Sequence, residues 1–158
     1  MAIIKPNNNT ISAITALPAA IPTGKVLQVV SATQTTSVST TSSSYITTNL
    51  SASITPSATS SKIFITLQGC ADNDDGGRQA YFAIFRDSSN LNGGSNPSST
   101  SIYGSGRVIC PVATSHLDSP SSTSSLTYAL YMKNPGSSSV EFISQSSEAH
   151  ITLMEIAG

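Results

Sequence analysis

Few residues in this 158-residue chain could do chemistry. The densest group is the run DNDDGG, which holds Asp72, Asp74 and Asp75. Such spacing invites a calcium loop, which needs oxygen ligands at alternating positions and a Glu at the twelfth. With Asp72 first, the fifth position is Gly76 and the twelfth is Ala83, so the pattern fails. A solvated turn is the expectation, and a calcium site of other geometry the alternative; no other cofactor is expected. Serine is abundant, but the nucleophile elbow G-x-S-x-G is absent, because Gly104 and Gly106 sit directly beside Ser105. Those glycines belong to no phosphate loop either. His116 and Asp118 lie two residues apart in a polar stretch, which does not set them as base and orienting acid. Catalysis is therefore not expected.

Cys70 and Cys110 are the only cysteines. Two are too few to staple a chain of this length, and with two distant histidines they make no zinc set. Buried free thiols are expected, with a Cys70–Cys110 bridge between neighbouring strands left open. His150 reads as a polar or interfacial side chain. Arg78 and Arg86 flank the aromatic run Tyr81–Phe85. They are expected to pair with carboxylates across a hairpin or a subunit interface. Hydrogen bonding to sugar hydroxyls beside stacked aromatics is the alternative.

The composition narrows the classes of function. Only 9% of residues are charged and the net charge is −1, where globular chains carry about 25% charged residues. Ser and Thr fill roughly 31% of the chain. Without a basic face, binding driven by phosphates is not expected, so nucleic acid is excluded as a partner. No apolar stretch approaches the ~18 residues of a membrane span. Met1–Thr10 lacks the apolar run of a signal peptide, so folding in a cytoplasm is expected.

Residues 1–24 differ from the rest. Three prolines argue against one continuous helix, yet Ile3, Ile4, Ile11, Ile14, Leu17 and Ile21 are too apolar for a linker left in water. An extended arm that buries these residues on a partner is the expectation; packing back on its own domain is the alternative. Residues 25–158 read as short β-runs punctuated by Ser, Thr, Gly, Pro and Asn. The runs are Lys25–Ser31, Thr33–Ser39, Tyr45–Asn49, Ser51–Thr55, Lys62–Ala71, Gln79–Arg86, Ser101–Cys110, Leu126–Lys133, Val140–Ser144 and Ala149–Ile156. Lys62–Ala71 and Gln79–Arg86 are expected to form a hairpin. Asp87–Thr100 and Ala113–Ser125 are expected loops. About ten strands in one domain mean an all-β antiparallel sandwich or jelly roll.

Several runs are apolar on both faces, among them Gln79–Arg86, Leu126–Lys133 and Ala149–Ile156. A lone antiparallel sandwich should keep one polar face per sheet. A neighbouring subunit is the simplest cover for the second face; loops folded over it are the alternative. Any ligand site is expected on the loops, at Asp87, Asn90, Asn92, Asn96, His116 and Asp118.

Four segments together carry a family resemblance: SITPSATSSKIFITLQGCAD from Ser53, AYFAIFRDSSNL from Ala80, LTYALYMKNPGSSSVEF from Leu126, and HITLMEIAG from His150. The chain resembles the C1q/TNF-like jelly-roll domains of bacteriophage virion proteins, over residues 26–158. The resemblance implies a non-enzymatic virion component, made in the bacterial host and assembled as a homotrimer about a threefold axis. Tyr81, Phe85, Tyr128, Tyr131, Met154 and Ile156 are the interface residues it suggests. It also implies attachment to capsid, tail or baseplate proteins through the arm. Only about 24 residues precede the domain, an extended reach of at most ~80 Å. A short fibre, surface knob or decoration protein is therefore expected. A glycan-recognising fibre tip on the host surface, or a cellular lectin-like or C1q-like module, are the alternatives.

Overall fold

A computed structural model describes residues 24–74, 79–92, 98–104, 106–136, 139–144 and 147–158. The arm residues Ile3, Ile4, Ile11, Ile14, Leu17 and Ile21 lie outside the described residues, as do Asp75, Arg78 and Asn96. Eleven strands are described, and no helix accompanies them. They are β1 (Val26–Gln34), β2 (Val38–Thr40), β3 (Ile46–Ile54), β4 (Lys62–Asn73), β5 (Gln79–Arg86), β6 (Ser89–Asn90), β7 (Thr100–Tyr103), β8 (Val108–Asp118), β9 (Leu126–Lys133), β10 (Val140–Phe142) and β11 (Ala149–Ile156).

Two antiparallel sheets form a β-sandwich. In the first sheet β1 pairs with β11, and β11 pairs with β4. β10 continues alongside β4 beyond the end of β11, and β2 pairs with β10. β8 pairs along the other side of β4, from Ile63↔Asp118 to Asn73↔Val108. The second sheet runs β3-β9-β5, with β6 and β7 both pairing β5.

Alternation decides which side chains meet between the sheets. Ile63, Ile65 and Leu67 of β4 and Ile151 and Leu153 of β11 face Leu50 and Ile54 of β3, Phe82 and Ile84 of β5, and Leu130 and Met132 of β9; all are buried. Each such side chain contributes about 1.5–3 kcal/mol on burial. Gly69 is part of the same packing. A Cβ there would stand 2.6 Å from the Phe142 ring and 3.0 Å from Ala149 Cβ, so the absent side chain lets Phe142 cross β4.

The structure corrects four expectations. β4 and β5 do not form a hairpin, because they lie in opposite sheets. Ser101–Cys110 is not one strand. β7 belongs to the second sheet and β8 to the first, with Gly104 at the crossing, where a Cβ would collide with Val108 Cγ2. Ala113–Ser125 is not all loop, because β8 runs through Pro111 to Asp118. Pro111 is tolerated because β8 lies at a sheet edge, where a missing N–H need cost no ladder bond. Tyr45–Asn49 and Ser51–Thr55 are one strand, β3, interrupted by a bulge. Asn49 takes a φ of 65° there, a conformation Asn tolerates better than most residues, and the register to β9 shifts between Thr47 and Ser51. Thr48 Oγ1 donates to Leu130 O at 2.8 Å across the disturbed ladder.

Candidate functional site

The outer face of the second sheet gathers the largest aromatic group on the surface. Tyr81 and Phe85 of β5 and Tyr131 of β9 point outward there, joined by Tyr45 ahead of β3. The register explains how the rings meet. Ala83 stands opposite Tyr131, and Ala129 opposite Phe85. Each large residue thus faces a small one, and the two rings close over the alanines diagonally. Phe85 and Tyr131 stack with centroids 4.1 Å apart, and Tyr45 meets Phe85 edge-on at 5.6 Å. Ala83 is fully buried and Ala129 nearly so, although both face outward.

Lys133 completes this cluster. Its Nζ lies 4.6 Å from the Tyr45 ring centroid and 5.3 Å from that of Tyr81, a cation–π arrangement. No carboxylate is ion-paired with Lys133 among the described residues. Burial, with Tyr81 beside it, pushes the Tyr45 hydroxyl up to about 12. Tyr45 and Lys133 were not anticipated from sequence. Lys133 continues the outward alternation Ala129–Tyr131–Lys133 and was legible in principle. Tyr45 depends on the path of the chain into β3 and was not.

The other expected interface residues separate from this cluster. Met154 and Ile156 are half-exposed on the outer face of the first sheet, on the opposite side of the sandwich. Tyr128 is a correction. It is fully buried between the sheets, and its hydroxyl donates to Asp118 Oδ2 at 2.7 Å. The alternation of β9 sends Tyr128 inward with Leu126 and Leu130, so it offers nothing to a neighbour.

The expected loop residues have other duties. Asp87, at a φ of 53°, turns the chain between β5 and β6, and its Oδ1 accepts from Thr127 N at 3.0 Å. Asn90 Oδ1 accepts from Asn92 N at 2.8 Å, and Asn92 Oδ1 from Ile84 N at 2.9 Å. These side chains shape a turn. His116 and Asp118 are on β8 and not in a loop. Asp118 is buried and accepts from Arg86 at 2.6 Å as well as from Tyr128. The Arg86 guanidinium is held above its usual range by that hydrogen bond. Arg86 therefore pairs with a carboxylate as expected, but between the two sheets of one chain.

Asp72, one residue before the end of β4, is buried beside Glu141 in register, and Arg107 donates to it through both Nε and Nη2. Asp74 and Glu141 line the same depression, about 470 Å³ in volume. The cation nearest Asp72 is thus the protein's own. The two cysteines are on adjacent strands, but Cys70 is in register with Pro111 and Cys110 with Ala71. They therefore point to opposite faces, both thiols are free, and Cys70 Sγ lies 3.6 Å from Ser144 Oγ.

No helix among the described residues is long and apolar enough to cross a membrane. No family model matches the chain, and no curated protein matches it.

Proposed function

We propose that this chain is a structural protein of a bacteriophage virion, a homotrimeric jelly-roll module with no catalytic role. It serves as a short fibre, surface knob or decoration protein, held to the particle by residues 1–24. The observation that carries the assembly reading is the aromatic face of the second sheet. Tyr45, Tyr81, Phe85 and Tyr131 surround Lys133, which has no ion-pair partner among the described residues, on a sheet that no helix among those residues covers. Packing this face about a threefold axis removes the aromatic surface from water, and aromatic anchors at a packed centre carry most of the energy of protein interfaces.

The strand order supports the jelly-roll reading. Taking the eight strands of four residues or more in sequence, the first sheet runs first, eighth, third, sixth and the second runs second, seventh, fourth, fifth. A chain that winds between two sheets this way brings its first and last strands side by side, as β1 and β11 are here.

Two experiments test the reading. The double variant Phe85→Asp with Tyr131→Asp should keep its β-rich circular dichroism and lose the trimer. A trimer that survives moves the interface elsewhere. Removing residues 1–24 should leave a folded trimer that no longer sediments with phage particles. Continued co-sedimentation assigns attachment to the domain instead of the arm.

A further inference from the structure

The first sheet ends on β1, and among the described residues no strand lies beyond it. Edge strands are commonly blunted by charge, proline or bulges, because their outward N–H and C=O groups accept another strand. β8, the edge beside β4, carries Pro111 and Asp118. β1 (VLQVVSATQ) has neither a proline nor a charge. Its one irregularity against β11 is an extra residue between Val26 and Gln28. Val26, Leu27 and Val29 are exposed, and Val30 and Ala32 pack on the core but are only partly buried.

The outer face of this sheet sets what a further strand would have to match. Val29, Met154, Phe64 and Leu117 stand in register across β1, β11, β4 and β8 and form an apolar row. Two residues along each strand, Ser31, Thr152, Thr66 and Ser115 put a hydroxyl on every strand.

The chain enters β1 through Ile21-Pro22-Thr23-Gly24. Proline second and glycine fourth are the residues favoured in a type I turn. A turn there would pair Ile21 with Gly24 and send the preceding residues back along β1. Counted past the extra residue of β1, Pro18 would stand opposite Gln28, Leu17 opposite Val29, Thr15 opposite Ser31 and Ile14 opposite Ala32. Leu17 would prolong the apolar row and Thr15 the hydroxyl row, while Ile14 would cover the core edge at Ala32. A slip of one residue would put Leu17 opposite Val30 and turn the Thr15 hydroxyl inward against Ala32. Pro18 would fall on the new edge, where proline is tolerated. No charged residue occurs from Pro6 to Gly24, which suits an uncharged edge. So short a tether favours the chain's own segment over that of a second copy.

We propose that residues 12–21 add a strand to the first sheet alongside β1 of the same chain, with Leu17 opposite Val29. Residues 1–11, with Ile3, Ile4 and Ile11, are then the part of the arm left to reach the particle, over at most ~40 Å. The strand itself depends on neither the trimer nor the particle.

Hydrogen–deuterium exchange of the full-length protein, read by mass spectrometry, tests this. Residues 13–17 should retain amides that exchange at least about tenfold more slowly than those of residues 7–11. Equal exchange in the two stretches overturns the proposal. Protection that appears only as protein concentration rises also overturns it, and gives the edge to a second copy. The register is read by cross-linking in a Cys70→Ser, Cys110→Ser background. Leu17→Cys with Val29→Cys should close a disulfide within one chain on mild oxidation, and Leu17→Cys with Val30→Cys should not. A bridge between chains, or one formed in preference at Val30, overturns the assignment. Co-sedimentation with particles reports separately. A protected segment on a protein that binds no particle removes only the attachment, and particle binding with an unprotected segment removes only this strand.

Discussion

Glu155 and Asp118 occupy one inward-facing row of the first sheet, each the register partner of Ile63 on β4. Two carboxylates are thereby brought to the same end of the sandwich, and each is satisfied differently. Glu155 Oε1 accepts from Ser57 N at 2.7 Å and Ser57 Oγ at 2.6 Å, and its Oε2 from Gln28 Nε2 at 2.7 Å. Asp118 takes Arg86 and Tyr128. Glu155 ties the loop after β3 to β1 and β11. Asp118 ties β8 to β5 and β9, in the other sheet.

Burial alone would raise the Glu155 carboxyl. The hydrogen bonds, led by the Ser57 hydroxyl, outweigh it and hold the group at about 2 against an ordinary 4.5. A depressed folded value means that this contribution is present above pH 4.5 and lost as pH falls from there toward 2. Glu155→Gln should cost about 1–3 kcal/mol at pH 7 and flatten the pH dependence in that window. Urea unfolding of both proteins at pH 7 and pH 3 measures this. An equal loss on acidification in both would assign the acid sensitivity to other groups.

Asp118→Ala leaves a buried hydroxyl and a partly buried guanidinium without their partner. It should destabilise by about 2–4 kcal/mol, and Tyr128→Phe by about 1–2 kcal/mol. Neither should alter the oligomeric state, since both side chains lie inside one chain. Denaturant unfolding gives the energies and size-exclusion elution the state. A Tyr128→Phe protein with a changed elution volume would return Tyr128 to the interface.

Gly69→Ala puts a Cβ against the Phe142 ring, which is fully buried. The substitution should cost about 1–3 kcal/mol by overpacking. Adding Phe142→Leu, which shortens the obstructing ring, should make the glycine substitution less costly than it is in the native background. Thermal unfolding of the four proteins in the cycle reads the coupling, and strict additivity would deny the contact.

Cys70 and Cys110 should both react with iodoacetamide in the unfolded, unreduced protein, adding two carbamidomethyl groups by intact mass. An unmodified mass two hydrogens lower would show a disulfide, which opposite faces of β4 and β8 do not allow. In the folded protein Cys110 should react slowly, because burial pushes its thiol up, with Cys70 adding to the effect.

The strands were legible where apolar residues alternate strongly. β4, β5, β9 and β11 fall within about two residues of their expected bounds for this reason. β8 was hidden because its inward positions include Thr114, His116 and Asp118, which read as loop residues until the register turns Asp118 toward Arg86 and Tyr128. The β4–β5 hairpin was expected because nearby strands usually pair. What no local pattern shows is that β4 and β5 belong to different sheets. The aromatic face was half visible. Tyr81, Phe85 and Tyr131 share a parity along β5 and β9, but Met154 and Ile156 were grouped with them although β11 lies in the other sheet. Tyr128 has the opposite parity to Tyr131 on the same strand, and that alone places it inside. The rows on the first sheet needed the register of four strands distant in sequence, which no single segment carries.

The mass of the full-length protein in solution bears most directly on the proposed assembly. Multi-angle light scattering at micromolar concentration should give about 49 kDa, three copies of the 16.3 kDa chain. A mass of 16.3 kDa that persists as concentration rises would contradict it, leaving Phe85 and Tyr131 stacked on an uncovered face.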